Sequence, residues 1–123
     1  MSLPQKETPP PMTLLPGHEY FEALLAKRED DRLKSLPPFV VVYFTARWCG
    51  ACKRLDLPKI VSGFPTVTFF KCDIDENDYT AGFCGIRSIP SFVAIKRGKF
   101  LESFGRSDTQ AVGEWIYAVF QKE

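Results

Sequence analysis

Six apolar residues in a row, Phe39-Val40-Val41-Val42-Tyr43-Phe44, constrain this chain more than any other stretch in it. A strand with one wet face alternates apolar and polar residues, but here both alternating sets are apolar. Such a strand needs cover on each side, so it belongs in the middle of a sheet with helices on both faces. Directly behind it comes Trp48-Cys49-Gly50-Ala51-Cys52, with two cysteines at a strand-to-helix junction. Residues three apart on a helix are neighbours on one face, so the pair can close into a disulfide. The first cysteine, at the helix start, lies among free backbone N–H groups and the positive end of the helix dipole, which favour a thiolate. The thiolate, not the thiol, is the nucleophile in disulfide exchange.

The whole-chain numbers narrow the alternatives. A chain of 123 residues is expected to form one domain with a core that needs no disulfide staples. Its 45% hydrophobic and 25% charged residues are those of an ordinary globular protein. A formal net charge of +1 supplies no field that argues for nucleic acid or an anionic membrane surface. No apolar stretch approaches the ~20 residues that span a bilayer. Met1 to Met12 holds Lys6, Glu7 and four prolines and has no apolar leader pattern, so a cytoplasmic location is expected. In that setting a Cys-x-x-Cys beside strand–helix alternation points to redox or metal chemistry.

Along the chain, residues 1–12 read as a flexible proline-rich arm and residues 13–123 as the folded domain. Thr13-Leu14-Leu15 reads as a short edge strand stopped by Pro16-Gly17. A helical pattern runs from about His18 to Leu36, with Phe21, Leu24, Leu25, Leu33 and Leu36 inward, until Pro37-Pro38 ends it. The helix opening near Cys49 is expected to run to about Ser62, kinked at Pro58 and stopped by Gly63. Thr66 to Cys72 reads as a strand, followed by an acidic turn over Asp73 to Asp78 that caps a short helix ending at Gly85. Ser91 to Lys96, the turn Arg97-Gly98-Lys99 and Phe100 to Phe104 make a hairpin. The last helix carries Val112, Trp115, Ile116, Val119 and Phe120 on one face, opened by a capping box from Ser107 and Gln110. The order (β)αβαβαββα predicts an α/β fold with a mixed sheet.

These pieces resemble the thioredoxin family over roughly residues 13–121. The resemblance is carried by Trp48 to Lys53, Lys71-Cys72-Asp73-Ile74-Asp75, Gly85-Ile86-Arg87-Ser88-Ile89-Pro90-Ser91 and Phe104-Gly105, several dispersed motifs in the family's order. It implies the thioredoxin fold and a thiol–disulfide oxidoreductase that reduces protein disulfides. Cys49 would be the attacking cysteine and Cys52 the resolving one. Trp48, Gly50, Ala51, Ile89, Pro90 and Gly105 would form the substrate surface. Ile89–Pro90 resembles the family's cis peptide, uncommon in folded proteins, with the Ile89 backbone facing an extended substrate segment. Gly105 would let the substrate backbone approach. The resemblance further implies no bound cofactor beyond the Cys49–Cys52 disulfide, no metal, a monomer, and a thioredoxin-reductase-like enzyme or another dithiol as electron donor.

Two positions depart from the family pattern. Ala51 stands where proline is common, and Tyr43, six residues before Cys49, stands where reducing members place a buried carboxylate. Tyr43 is therefore expected to modulate the dithiol, and the resemblance implies the same of Lys71. The segment from Cys52 to Lys71 is short for the family, which predicts a trimmed second helix. Cys72 and Cys84, eleven residues apart, lack paired zinc-ligand spacing. Cys72 reads as core-facing, Cys84 as a candidate redox-sensitive thiol, His18 as a capping or surface residue and Trp115 as core. Arg47, Lys53, Arg54, Arg87 and Arg106 flank the motif pieces, either as a basic rim or as scattered charge. Two other functions would use the same residues: a binding or adaptor module whose dithiol is slow or regulatory, and a [2Fe–2S] carrier shared between subunits.

Overall fold

A computed structural model describes residues 12–121. The residues 1–11 of the expected arm lie outside the described part. Five strands form one mixed sheet: β1 (Thr13–Leu14), β2 (Phe39–Thr45), β3 (Thr68–Asp73), β4 (Ser91–Lys96) and β5 (Lys99–Phe104), in the order β1-β3-β2-β4-β5. The β1–β3 and β2–β3 pairs are parallel; β4 runs antiparallel to both β2 and β5.

β2 is central, and its alternation decides the layers. Val40, Val42 and Phe44 point into one core with Phe21 and Leu24 of α1 (His18–Leu24) and Ala81 of α3 (Asp78–Phe83). Val41 and Tyr43 point into the other, with Ile60 of α2 (Leu57–Gly63) and Val112, Ile116 and Val119 of α4 (Thr109–Val119). Each face therefore owns a pair of helices, as two apolar sets on one strand require.

Several element bounds differ from the sequence reading. The first helix stops at Leu24 instead of Leu36. The run Lys27 to Arg32 offers no apolar stripe to pack, and Ala26 turns the chain with φ of 60°. Leu33 still reaches the core from the following loop, while Leu36 is exposed. The long helix expected after Cys49 is two pieces: a 3₁₀ turn over Ala51–Arg54, an extended residue at Leu55, then α2. Pro58 does not kink a helix but sits in the first turn of a new one, where its missing N–H and fixed φ do no harm. Asp56 caps that turn, accepting the Lys59 N–H at 3.1 Å. β3 begins two residues later than expected and includes Asp73.

The remaining ends follow local chemistry. Asn77, not one of the acidic residues before it, caps α3 through the Thr80 N–H. That helix closes with Gly85 at φ 72°, its N–H bonded to Gly82 and the Ile86 N–H to Ala81, the two bonds of a Schellman ending. Arg97 and Gly98, both at positive φ, form the two-residue β4–β5 turn. At α4 the cap is Asp108, which accepts the Gln110 N–H at 3.1 Å, instead of Ser107.

Candidate functional site

The site stands where β2 ends. Cys49 and Cys52 are joined by a disulfide with Cα atoms 5.3 Å apart, across the loop-to-3₁₀ junction that the two-residue spacing anticipated. Both are buried, at 4% and 6% exposure, so the chemistry sits under a surface and not on it. The Cys49 N–H bonds the Ala46 carbonyl, which fixes the loop to the strand end. The Cys52 N–H donates to Cys49 Sγ at 3.1 Å. A donor aimed at that sulfur stabilises negative charge on it. The donor is Cys52's own amide.

Trp48 lies over this point with 65% of its surface exposed, and its indole N–H donates to Asp75 Oδ2 at 2.9 Å. Asp75 is the residue that sequence reasoning passed over. The signal was present, since the Asp73-Ile74-Asp75 turn carried part of the resemblance, but nothing in the pattern said which carboxylate would face the indole. Asp73 in turn accepts the Asp75 N–H at 2.9 Å and shapes that turn.

The Ile89–Pro90 bond is cis, and Ile89 packs against the cores on both faces, including the cluster that holds Cys49 and Cys52. Ser91 Oγ donates to the Ser88 carbonyl at 2.7 Å and ties the loop on itself. Gly105 belongs to the same patch. A Cβ there would lie 3.2 Å from Ser91 Oγ and 3.7 Å from the Pro90 carbonyl oxygen, so a side chain would press on the proline loop. Gly50, by contrast, has open space around its missing Cβ, and Ala51 is half-buried.

Behind the disulfide is a cavity of about 460 Å³ whose lining includes Cys49, Cys52, Tyr43, Lys71, Leu57 and Glu76. Tyr43 and Lys71 are register partners on β2 and β3, so the two residues singled out as modulators face the resolving cysteine together. Tyr43 is 2% exposed and stacks on Phe92, ring centres 5.1 Å apart. Burial pushes its phenol above the ordinary tyrosine value, and a hydrogen bond with Thr45 offsets only part of that. A proton-loaded phenol therefore lines the cavity.

The other candidates fall elsewhere. Cys72 is buried in β3 and Cys84 ends α3; burial is the main cause that pushes both thiols up to about 12. Burial thus disfavours the thiolate form of both. His18 neither caps α1 nor stands free on the surface: its Nδ1 lies 2.9 Å from Thr80 Oγ1 and its ring packs on Tyr79 and Phe83, linking α1 to α3. Trp115 is core, its indole N–H bonded to Glu102 at 2.7 Å and its ring stacked on Phe104. Among the described residues no group of three His, Cys, Asp or Glu side chains is placed to hold a metal.

A redox-bonded Cys-x-x-Cys at the end of the central strand, set beside a cis-proline loop in this sheet order, defines a thiol–disulfide oxidoreductase. The thioredoxin family model matches residues 19–118, and the chain belongs to the thioredoxin family. It is 44% identical over 75 residues to a thioredoxin of Geodia cydonium, covering 58% of this chain and 70% of that one. It is 39% identical over 64 residues to the mitochondrial thioredoxin-3 of Saccharomyces cerevisiae, covering half of each. In three dimensions, Fasciola hepatica thioredoxin superposes with a TM-score of 0.72 at 27% identity, over 88% of this chain and 99% of that one. The oxidised yeast mitochondrial thioredoxin 3 gives 0.73 at 29% identity, over 86% and 93%.

Proposed function

We propose that this protein reduces disulfides in other proteins through Cys49 and Cys52. The observation that carries the reading is the Cys52 N–H aimed at Cys49 Sγ, which marks Cys49 as the sulfur prepared to hold negative charge. In the reduced protein the Cys49 thiolate attacks one sulfur of a substrate disulfide. A Cys49–substrate bond forms and the other substrate sulfur leaves as a thiolate that takes up a proton. Cys52 then gives up its proton and attacks Cys49 Sγ. The second substrate thiol departs, and Cys49–Cys52 is left oxidised with two electrons transferred.

Trp48, Gly50, Ala51, Ile89, Pro90 and Gly105 are the surface against which the substrate lies, while Tyr43 and Lys71 tune the second step from the cavity. The cycle needs no bound cofactor. A thioredoxin-reductase-like enzyme or another dithiol resets it, and the reading takes the chain as a cytoplasmic, monomeric electron carrier in redox homeostasis that acts on protein disulfides and not on nucleic acid or membrane. With dithiothreitol as donor, the protein is expected to reduce an exposed protein disulfide. Cys49→Ser abolishes the activity, whereas Cys72→Ser and Cys84→Ser keep most of it. Full activity in Cys49→Ser overturns the mechanism. No activity in the parent protein favours the adaptor reading.

A further inference from the structure

Cationic side chains collect around the dithiol and remain unpaired. Arg47 precedes Trp48, Lys53 and Arg54 close the 3₁₀ turn that carries Cys52, and Arg87 leads into the loop that ends at Pro90. All four are exposed, and none has an ion pair or a side-chain hydrogen bond among the described residues. The contrast is with the far loop after α1, where Arg28 pairs with Glu22 and Arg32 with Asp30.

Three carboxylates on this face are already engaged, while Glu76 lines the same cavity as Cys49, Cys52 and Lys53. Asp75 holds the Trp48 indole, Asp73 holds the Asp75 amide, and Asp56 caps α2. The hydrogen bond from Trp48 places Asp75 of the acidic β3–α3 turn beside the tryptophan. Asp73 and Glu76 share the cavity with Arg47 and Lys53, whereas Arg54 at the end of the 3₁₀ turn and Arg87 before the proline loop stand outside that lining. An exposed cation with no partner of its own is free to meet charge on an incoming molecule, and unpaired like charges around a site steer its encounters.

We propose that the preferred substrates are protein disulfides flanked by Asp or Glu, whose carboxylates meet Arg87, Lys53 and Arg54 as the disulfide reaches Cys49. This rests on the reductase reading above. The sulfur chemistry is unchanged; the charges act on approach and orientation.

The test uses three disulfide peptides that differ only in the residues flanking the cystine: Glu, Lys or Gln. With the full chain and dithiothreitol, kcat/KM is measured at ionic strengths of about 0.01 M and about 1 M, where the screening length falls from ~30 Å to ~3 Å. At low salt the Glu peptide should exceed the Lys peptide on the order of tenfold, and the two should converge at high salt. Arg87→Glu should lose most of that preference, read within the variant as the ratio of kcat/KM for the Glu and Lys peptides. Lys34→Glu, the same charge change in the exposed loop before β2, should keep it. Equal rates for the Glu and Lys peptides overturn the proposal alone. So does a preference that survives Arg87→Glu, or one that falls equally in Lys34→Glu. No reduction of any peptide overturns the reductase reading and this proposal with it.

Discussion

Replacing Tyr43 tests how this site manages without a buried carboxylate. Cys52 must become a thiolate before it can release the substrate, yet it is 6% exposed and shares its cavity with a protonated phenol. An ordinary cysteine thiol, with a pKa of ~8.5, is only about 3% ionised at pH 7. Resolution is then expected to limit turnover and to quicken about tenfold per pH unit until the thiol titrates. Tyr43→Asp places a base in the cavity. If that base ionises the thiol fully, resolution at pH 7 accelerates on the order of 30-fold, the reciprocal of that fraction. The same change removes a ring that stacks on Phe92 at 5.1 Å. It should cost about 3–5 kcal/mol of stability, the range for truncating a buried aromatic. Tyr43→Phe keeps the ring and should alter the rate little. The assay is stopped-flow decay of a preformed mixed disulfide across pH for the three proteins. A collapse of the rate in Tyr43→Phe would show that the hydroxyl itself moves the proton and would refute the reasoning.

Two further predictions concern the frame around the site. Asp56→Ala removes the cap of α2 and should cost about 1 kcal/mol, lowering Tm by roughly 4 °C in a thermal melt; no change in Tm would mean that the cap is not what starts this helix. Cys72 and Cys84, held up to about 12 in the fold, should resist alkylation at pH 8 in the native reduced protein and react once it is unfolded. The linkage has a definite sign: their folded pKa lies above the unfolded value near 9, so their stabilising effect is complete below pH 9 and is lost between pH 9 and about 12. Cys72→Ala with Cys84→Ala should flatten that alkaline limb of the stability curve.

The site was legible because its chemistry is local. Cys49 and Cys52 announce themselves by spacing, and β2 by its two apolar sets, which also fixed the number of helical layers. What stayed hidden depended on contacts between segments distant in sequence. The Trp48–Asp75 bond joins residues 27 apart, and no periodicity selects Asp75 over its neighbours. The His18–Thr80 contact spans 62 residues and turns a residue read as a helix cap or surface group into a tie between helices. Helix lengths failed for a different reason. The span from His18 to Leu36 has helical spacing at both ends, but its charged middle has nothing to pack against, and tertiary burial is what keeps short helices formed. Pro58 reads in the sequence as a kink inside one helix; the structure instead ends the first piece at Arg54 and starts a second helix at Leu57, with Asp56 as its cap.

The most direct test of the account is to ask which sulfur captures the substrate. Reduced Cys52→Ser and Cys49→Ser proteins are each mixed with an excess of a protein disulfide substrate, and the products are read by intact mass and peptide mapping. Cys52→Ser should accumulate one covalent adduct, mapped to Cys49, that persists until dithiothreitol is added; Cys49→Ser should form none. An adduct on Cys52 in the Cys49→Ser protein, or no adduct on Cys49 in the Cys52→Ser protein, would contradict the assignment of Cys49 as the attacking thiolate.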